Sequence, residues 1–164
     1  MERLTKLTAV LSWFNLVIAS IIALVALVSG LAAGNMLYLL MSVLLASAII
    51  LHSYAALQLR KSIVAPQIPL AHQTPVGIRF MGYVSLFFAC MNLFNSVSII
   101  QHTPDFISQV KLPPGSPKID LIALLRGVSV FAIFFSLTII FNVILNFRLL
   151  RWYLFHAGND KQEN

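Results

Sequence analysis

The chain has 164 residues, of which 59% are hydrophobic and 10% charged, and its mean hydropathy is +0.89. A soluble domain has about a quarter of its residues charged, and a fold of this size has too little interior to hide so large an apolar fraction. A water-soluble globule is therefore excluded, and lipid is the expected solvent. The single cysteine, Cys90, excludes an intramolecular disulfide framework and a thiolate metal cluster.

A helix rises 1.5 Å per residue, so about 20 apolar residues cross a hydrocarbon core about 30 Å thick. Four runs meet this requirement, at residues 7–29, 36–58, 80–100 and 127–147, and none contains proline. The predicted fold is an all-α integral membrane protein. It is a single four-transmembrane-helix bundle over residues 1–164, made of two antiparallel hairpins.

The first run follows a basic start, Arg3 and Lys6, but its 23 residues exceed the 7–15 of a signal-peptide core. It reads as a retained span. The six-residue turn Gly30-Leu31-Ala32-Ala33-Gly34-Asn35 then makes the first two spans neighbours. From Arg60 to Arg79 the chain reads as a proline-interrupted connector, too short to form a core of its own.

After the third run, Thr103-Pro104-Asp105 supplies a helix cap, a first-turn proline and a first-turn acid. A short helix is expected to follow at the outer interface, with Phe106, Ile107 and Val110 on one side. Pro113-Pro114-Gly115 should turn the chain, and Ser116-Pro117 repeats the start signal, with Asp120 expected in the first turn of the fourth long helix.

Lysines and arginines concentrate on one side: Arg3, Lys6, Arg60, Lys61, Arg79, Arg148, Arg151 and Lys161, against Lys111, Lys118 and Arg126 on the other. Positive charge favours the cytoplasmic face, so both termini are expected in the cytoplasm of a plasma or inner membrane. Trp13, Tyr54, Tyr83, Trp152 and Tyr153 lie toward that edge, and Tyr38 marks the other. Arg60, Lys61, Arg79, Arg126, Arg148, Arg151, Trp13 and Trp152 thus read as interface anchors. The net charge of +6 is a topology feature, and nucleic acid is not an expected partner.

Helices in lipid associate through small residues and polar pairs. Ser12, Ala19, Ala23, Ala26 and Gly30 form one such stripe, and Ser42, Ala46, Ser53 and Ala56 another. No internal repeat accompanies them.

No Asp or Glu lies inside any span, which disfavours proton-coupled transport. His52 is the one ionisable residue deep in a span, about 12 Å from Arg60 at helical rise. Asn15 and Asn142 reach a similar depth, so the three form a candidate inner-leaflet layer in which His52 bonds an amide or takes part in ligand binding or proton relay. Ser85, Asn92, Asn95 and Ser96 make a polar stripe on the outer half of the third span. The asparagines are expected to bond neighbours such as Ser42 or Ser47, or else to line a wet dent. His72, His102 and His156 do not match the depth of His52, so haem ligation is not expected; no cofactor or metal is predicted.

By subtraction, the expected function is a non-enzymatic accessory or assembly component acting through helix–helix contacts. Its partners would be the lipid bilayer and a second copy or a larger membrane complex. Two alternatives are a small oligomeric channel or carrier for a neutral solute and a quinone- or lipid-head-binding subunit.

Overall fold

A computed structural model describes residues 2–108 and 120–159, and among these every regular element is helical. The helices are α1 (Glu2–Ala33), α2 (Met36–Val64), α3 (Thr74–Gln101), α4 (Thr103–Ser108) and α5 (Leu121–Asn159). Four of them, all but α4, are long and apolar enough to cross a membrane.

Each long helix outruns the apolar segment that marks it, because charged and polar residues continue the helix beyond the oily run. The connector between α2 and α3 is consequently shorter than the sequence suggests. α2 continues through Arg60 and Lys61 to Val64, and α3 starts at Thr74 with Pro75 in its first turn, leaving only 65–73 outside helices.

The α1–α2 turn is built on Gly34, the one described residue with positive φ, at 63°. Gly34 N–H donates to Leu31 O and Asn35 N–H to Gly30 O, both at 3.2 Å, which is the hydrogen-bond pattern of a left-handed C-terminal cap. Glycine reaches this conformation without the steric cost a Cβ incurs.

Two end signals fold differently from expectation. Thr103 does not cap α4: its hydroxyl donates backward to Ile99 O (2.8 Å) and Ile100 O (3.1 Å), satisfying the last carbonyls of α3. Asp120 is not in the first turn of the last helix but caps it, its Oδ1 accepting from Ile122 N and Ala123 N, each at 3.0 Å. Two of the orphan donors of the first turn are thereby paired, so α5 begins at Leu121 rather than near Pro117. Expectations placed on Val110, Lys111, Pro113-Pro114-Gly115, Ser116-Pro117, Lys118, Lys161 and the Tyr38 side chain lie outside the described residues.

α1 packs mainly on α2 and α3 mainly on α5, while α2–α3 and α1–α5 contacts close the ring; α1 and α3 do not touch. Along α5 the partners run in reverse: Ser12 meets Asn142 and Asn15 meets Thr138, while Gly82 approaches Phe147 and Asn92 bonds Ser136.

The core is half polar. Among the described residues fifteen hydrophobic ones are buried, seven of them alanine, alongside fifteen polar ones. Outside, 39 large hydrophobic side chains of the described residues are exposed, among them Val10, Leu24, Phe87 and Phe141. An apolar layer near Ala19, Ile49, Ala89 and Phe135 lies at mid-length, and a second, of Leu59, Ile78, Leu149 and Leu150, lies toward the basic end.

The expected small-residue stripes are mostly inside. Ser12, Ala19, Ala26, Gly30, Ala46, Ser53 and Ala56 are buried, with Ala23 and Ser42 half-buried. Small side chains let helix backbones approach closely, and Gly30 shows it: a Cβ there would lie 3.0 Å from Leu39 Cβ.

Candidate functional site

Polar side chains inside the bundle collect on the seam between α1 and α5. Asn142 Oδ1 accepts from Ser12 Oγ at 3.0 Å and from Asn146 Nδ2 at 2.9 Å. One turn away, Thr138 Oγ1 donates to Asn15 Oδ1 at 2.9 Å, and Asn15 Nδ2 donates to Thr138 O at 3.3 Å. Asn15, Asn142 and Asn146 are each no more than 1% exposed. A buried amide without partners costs roughly 1–3 kcal/mol per unpaired group, so reciprocal bonding of this kind fixes the register of α1 against α5.

His52 does not join this seam, contrary to the predicted layer of Asn15, His52 and Asn142. Its Nδ1 donates to Ile78 O on α3 at 3.2 Å, and its ring meets Phe147 edge-on with centroids 6.3 Å apart. Gly82 is what admits the two rings, since a Cβ there would come within 2.6 Å of Phe147 and 3.1 Å of His52. His52 bonds a backbone carbonyl of α3 and no amide on α1 or α5, a choice that helical depth alone does not encode.

The stripe on α3 divides. Ser85 and Ser96 are buried, Asn92 is half-buried and Asn95 is exposed. Asn92 Nδ2 donates to Ser136 Oγ at 2.8 Å and to Ala132 O at 3.5 Å, so it pairs with α5 rather than with Ser42 or Ser47 on α2. Asn95 forms no hydrogen bond with any described residue. The side-chain atoms His52 Nε2, Ser53 Oγ, Ser85 Oγ and Asn146 Oδ1 are buried without a partner in the chain.

All four long helices wall a cavity of about 300 Å³, including Ile22, Ile49, Phe88, Phe131, Phe135 and Ile139. Asn92 and Ser136 are its polar residues, and they are bonded to each other. The cavity is thus an apolar space with one polar point on its wall.

Among the expected anchors, Trp13, Lys61, Arg79, Arg126, Arg148 and Arg151 are exposed, and Arg60 and Trp152 are half-buried. Arg60 and Lys61 border a groove with Val64 and Ile68 on α2 and the turn after it. The Trp152 ring meets that of His156 one turn later, with centroids 4.3 Å apart and planes tilted by 36°. No group of three His, Cys, Asp or Glu suited to a metal occurs among the described residues.

Sequence reasoning missed Thr138, Asn146 and Ser136. Thr138, Asn142 and Asn146 recur at four-residue steps, which puts them on one helical face. That spacing was the readable signal.

The fold and seam define a helical protein with four helices able to cross a membrane and a hydrogen-bonded polar interior. Compared with family models, characterised proteins and solved structures, the chain matches none.

Proposed function

We propose that the chain is a multi-pass integral membrane protein, two helical hairpins with both termini in the cytoplasm of a plasma or inner membrane. In it, the protein acts as a non-enzymatic assembly component through helix–helix contacts. Support for the setting comes from the inverted composition, apolar outside and polar within, which suits a solvent of lipid tails. The basic residues at the ends of α1, α2, α3 and α5 support the orientation.

The observation that carries the functional reading is the fate of the asparagines. Asn15, Asn142, Asn146 and Asn92 bond to other side chains of the bundle, as packing residues do, whereas Asn95 is presented outward beside exposed Met91 and Phe94. An amide facing hydrocarbon lacks the hydrogen bonds that water would give it, and a second helix can restore them. Asn95 is therefore the contact residue we assign to assembly with a second copy or a larger membrane complex.

Replacing Asn95 with leucine tests this. The expected result is a folded protein whose assembled form, followed by cross-linking in membranes, is diminished. Retained assembly in Asn95→Leu would remove Asn95 from that role. A neutral-solute flux that disappears in the Asn92→Leu, Asn95→Leu double variant while assembly survives would establish the channel reading instead.

A further inference from the structure

At the basic end, α3 and α5 carry matched pairs of side chains one helical turn apart: Arg79 with Tyr83, and Arg151 with Phe147. The two rings meet, with centroids 5.1 Å apart and planes tilted by 56°. Together with Leu150, these four residues line a pocket of about 280 Å³. Each arginine lies one turn nearer the basic end of its helix than the ring it accompanies. The pocket therefore has an aromatic and aliphatic floor and a cationic rim.

Among the described residues neither arginine is neutralised: Lys6–Glu2 is the one ion pair there, and neither Arg79 nor Arg151 donates a hydrogen bond to a described residue. Topology alone asks only for positive charge on this side of the membrane. It does not ask for two guanidiniums to share one pocket. Arg148 illustrates the difference: it is exposed on the same helix as Arg151 but takes no part in the lining.

We infer that this pocket binds the phosphate of an anionic phospholipid, a conclusion that rests on the membrane placement proposed above. Guanidinium groups present forked donors that match phosphate oxygens two at a time, and the Tyr83 hydroxyl adds a third donor. Phe147 and Leu150 offer apolar surface to the glycerol and the first methylenes of the acyl chains. A basic cleft between membrane helices on the cytoplasmic side is suited to such head groups. Free inorganic phosphate shares the anionic chemistry but has nothing to place on the floor.

The experiment uses the full chain in an uncharged detergent, titrated with phosphatidylglycerol and, separately, with phosphatidylcholine and inorganic phosphate, with binding read by native mass spectrometry. Phosphatidylglycerol should bind more tightly than either comparison ligand. Arg79→Gln and Arg151→Gln should each weaken it by about thirtyfold, the loss of a charge-assisted hydrogen bond. Arg148→Gln removes the same charge outside the pocket and should cost no more than about fivefold, the effect of one surface cation. Tyr83→Phe keeps the ring and should weaken binding without a change in melting temperature.

Equal losses in the three arginine variants would reduce the arginines to topology anchors and overturn the site. Inorganic phosphate binding as tightly as the lipid would overturn the lipid assignment. A wild type that binds no phosphatidylglycerol, or lipid binding that does not depend on Arg79 or Arg151, would sink the pocket alone; a chain that stays dissolved and monomeric without detergent would sink the membrane placement itself.

Discussion

Toward the basic end of the bundle, Asn15, Asn142 and Asn146 are fully buried and bonded on the seam of α1 and α5, and Gly82 is crowded by Phe147 and His52. Toward the other end, Asn92 is half-buried on the wall of an apolar cavity and Asn95 faces outward, while a Cβ on Gly127 would meet nothing within 4 Å. Along the faces of α5, the same residue types thus close the basic half and leave the far half open. In the lipid solvent proposed above, burying apolar surface no longer drives association, so close packing and polar pairing decide where helices touch tightly. The basic half of α5 has both. Its far half has one pair, Asn92 with Ser136, beside an unfilled space, although α1 and α2 stay close there, with Gly30 against Leu39.

Five substitutions break or sharpen this contrast, each read by equilibrium unfolding in mixed micelles. Asn142→Leu should be the most harmful, at about 3 kcal/mol. It strands the donors of Ser12 and Asn146 together, each with a penalty of roughly 1–3 kcal/mol, somewhat relieved when unfolded helices find other partners. A loss under about 0.5 kcal/mol would mean that this seam does not hold the helices.

Gly82→Ala comes next, at about 2 kcal/mol, because the new methyl collides with the Phe147 ring and the rings must shift. Gly127→Ala is its counterpart at the open end. There the methyl meets open space, and alanine's better helix propensity should raise stability by roughly 0.5–1 kcal/mol. Opposite signs at the two glycines would sharpen the comparison, and two losses of equal size would break it.

Asn92→Leu should cost less than 1 kcal/mol, on the scale of about 0.6 kcal/mol for an average hydrogen bond between membrane helices. Ser136 loses one donor, but its own hydroxyl can turn to a carbonyl of the preceding turn, as Ser129 turns to Leu125 O at 2.9 Å. A loss matching that of Asn142→Leu would show that the far half is held as firmly as the basic half.

The four long helices and most of the small faces were legible in the sequence because each depends on local composition: apolar runs of spanning length, prolines outside them, and small residues at helical steps. The ends were less legible. Asp120 and Thr103 belong to types that serve equally as caps, first-turn residues or bonds to a preceding turn, and only the carbonyls and amides in reach choose among these. For the interior, helical depth groups Asn15, His52 and Asn142, and in the structure Asn15 and Asn142 bond on the α1–α5 seam while His52 bonds α3. Depth fixes height along the bundle and leaves the rotation about each helix open. His52 faces α3, where Gly82 makes room for it, and that pairing joins residues 30 positions apart through packing that no local pattern records.

The smallest effect tests the emptiness of the far half most directly. Ala132 lies on the cavity wall, half-buried, next to the Asn92–Ser136 pair. Replacing it with leucine adds a flexible apolar side chain of good helix propensity to a space of about 300 Å³, with no need to displace backbone. Filling a void of this kind should stabilise the protein by about 0.5 kcal/mol, the low end for cavity-filling changes, since part of the void will remain. Were the two halves equally close-packed, the same change would force neighbouring side chains out of their rotamers and cost about 1–3 kcal/mol. The sign of the Ala132→Leu effect, more than its size, therefore decides whether the far end of this bundle is open space walled by four helices or a core as tight as the one around Asn142.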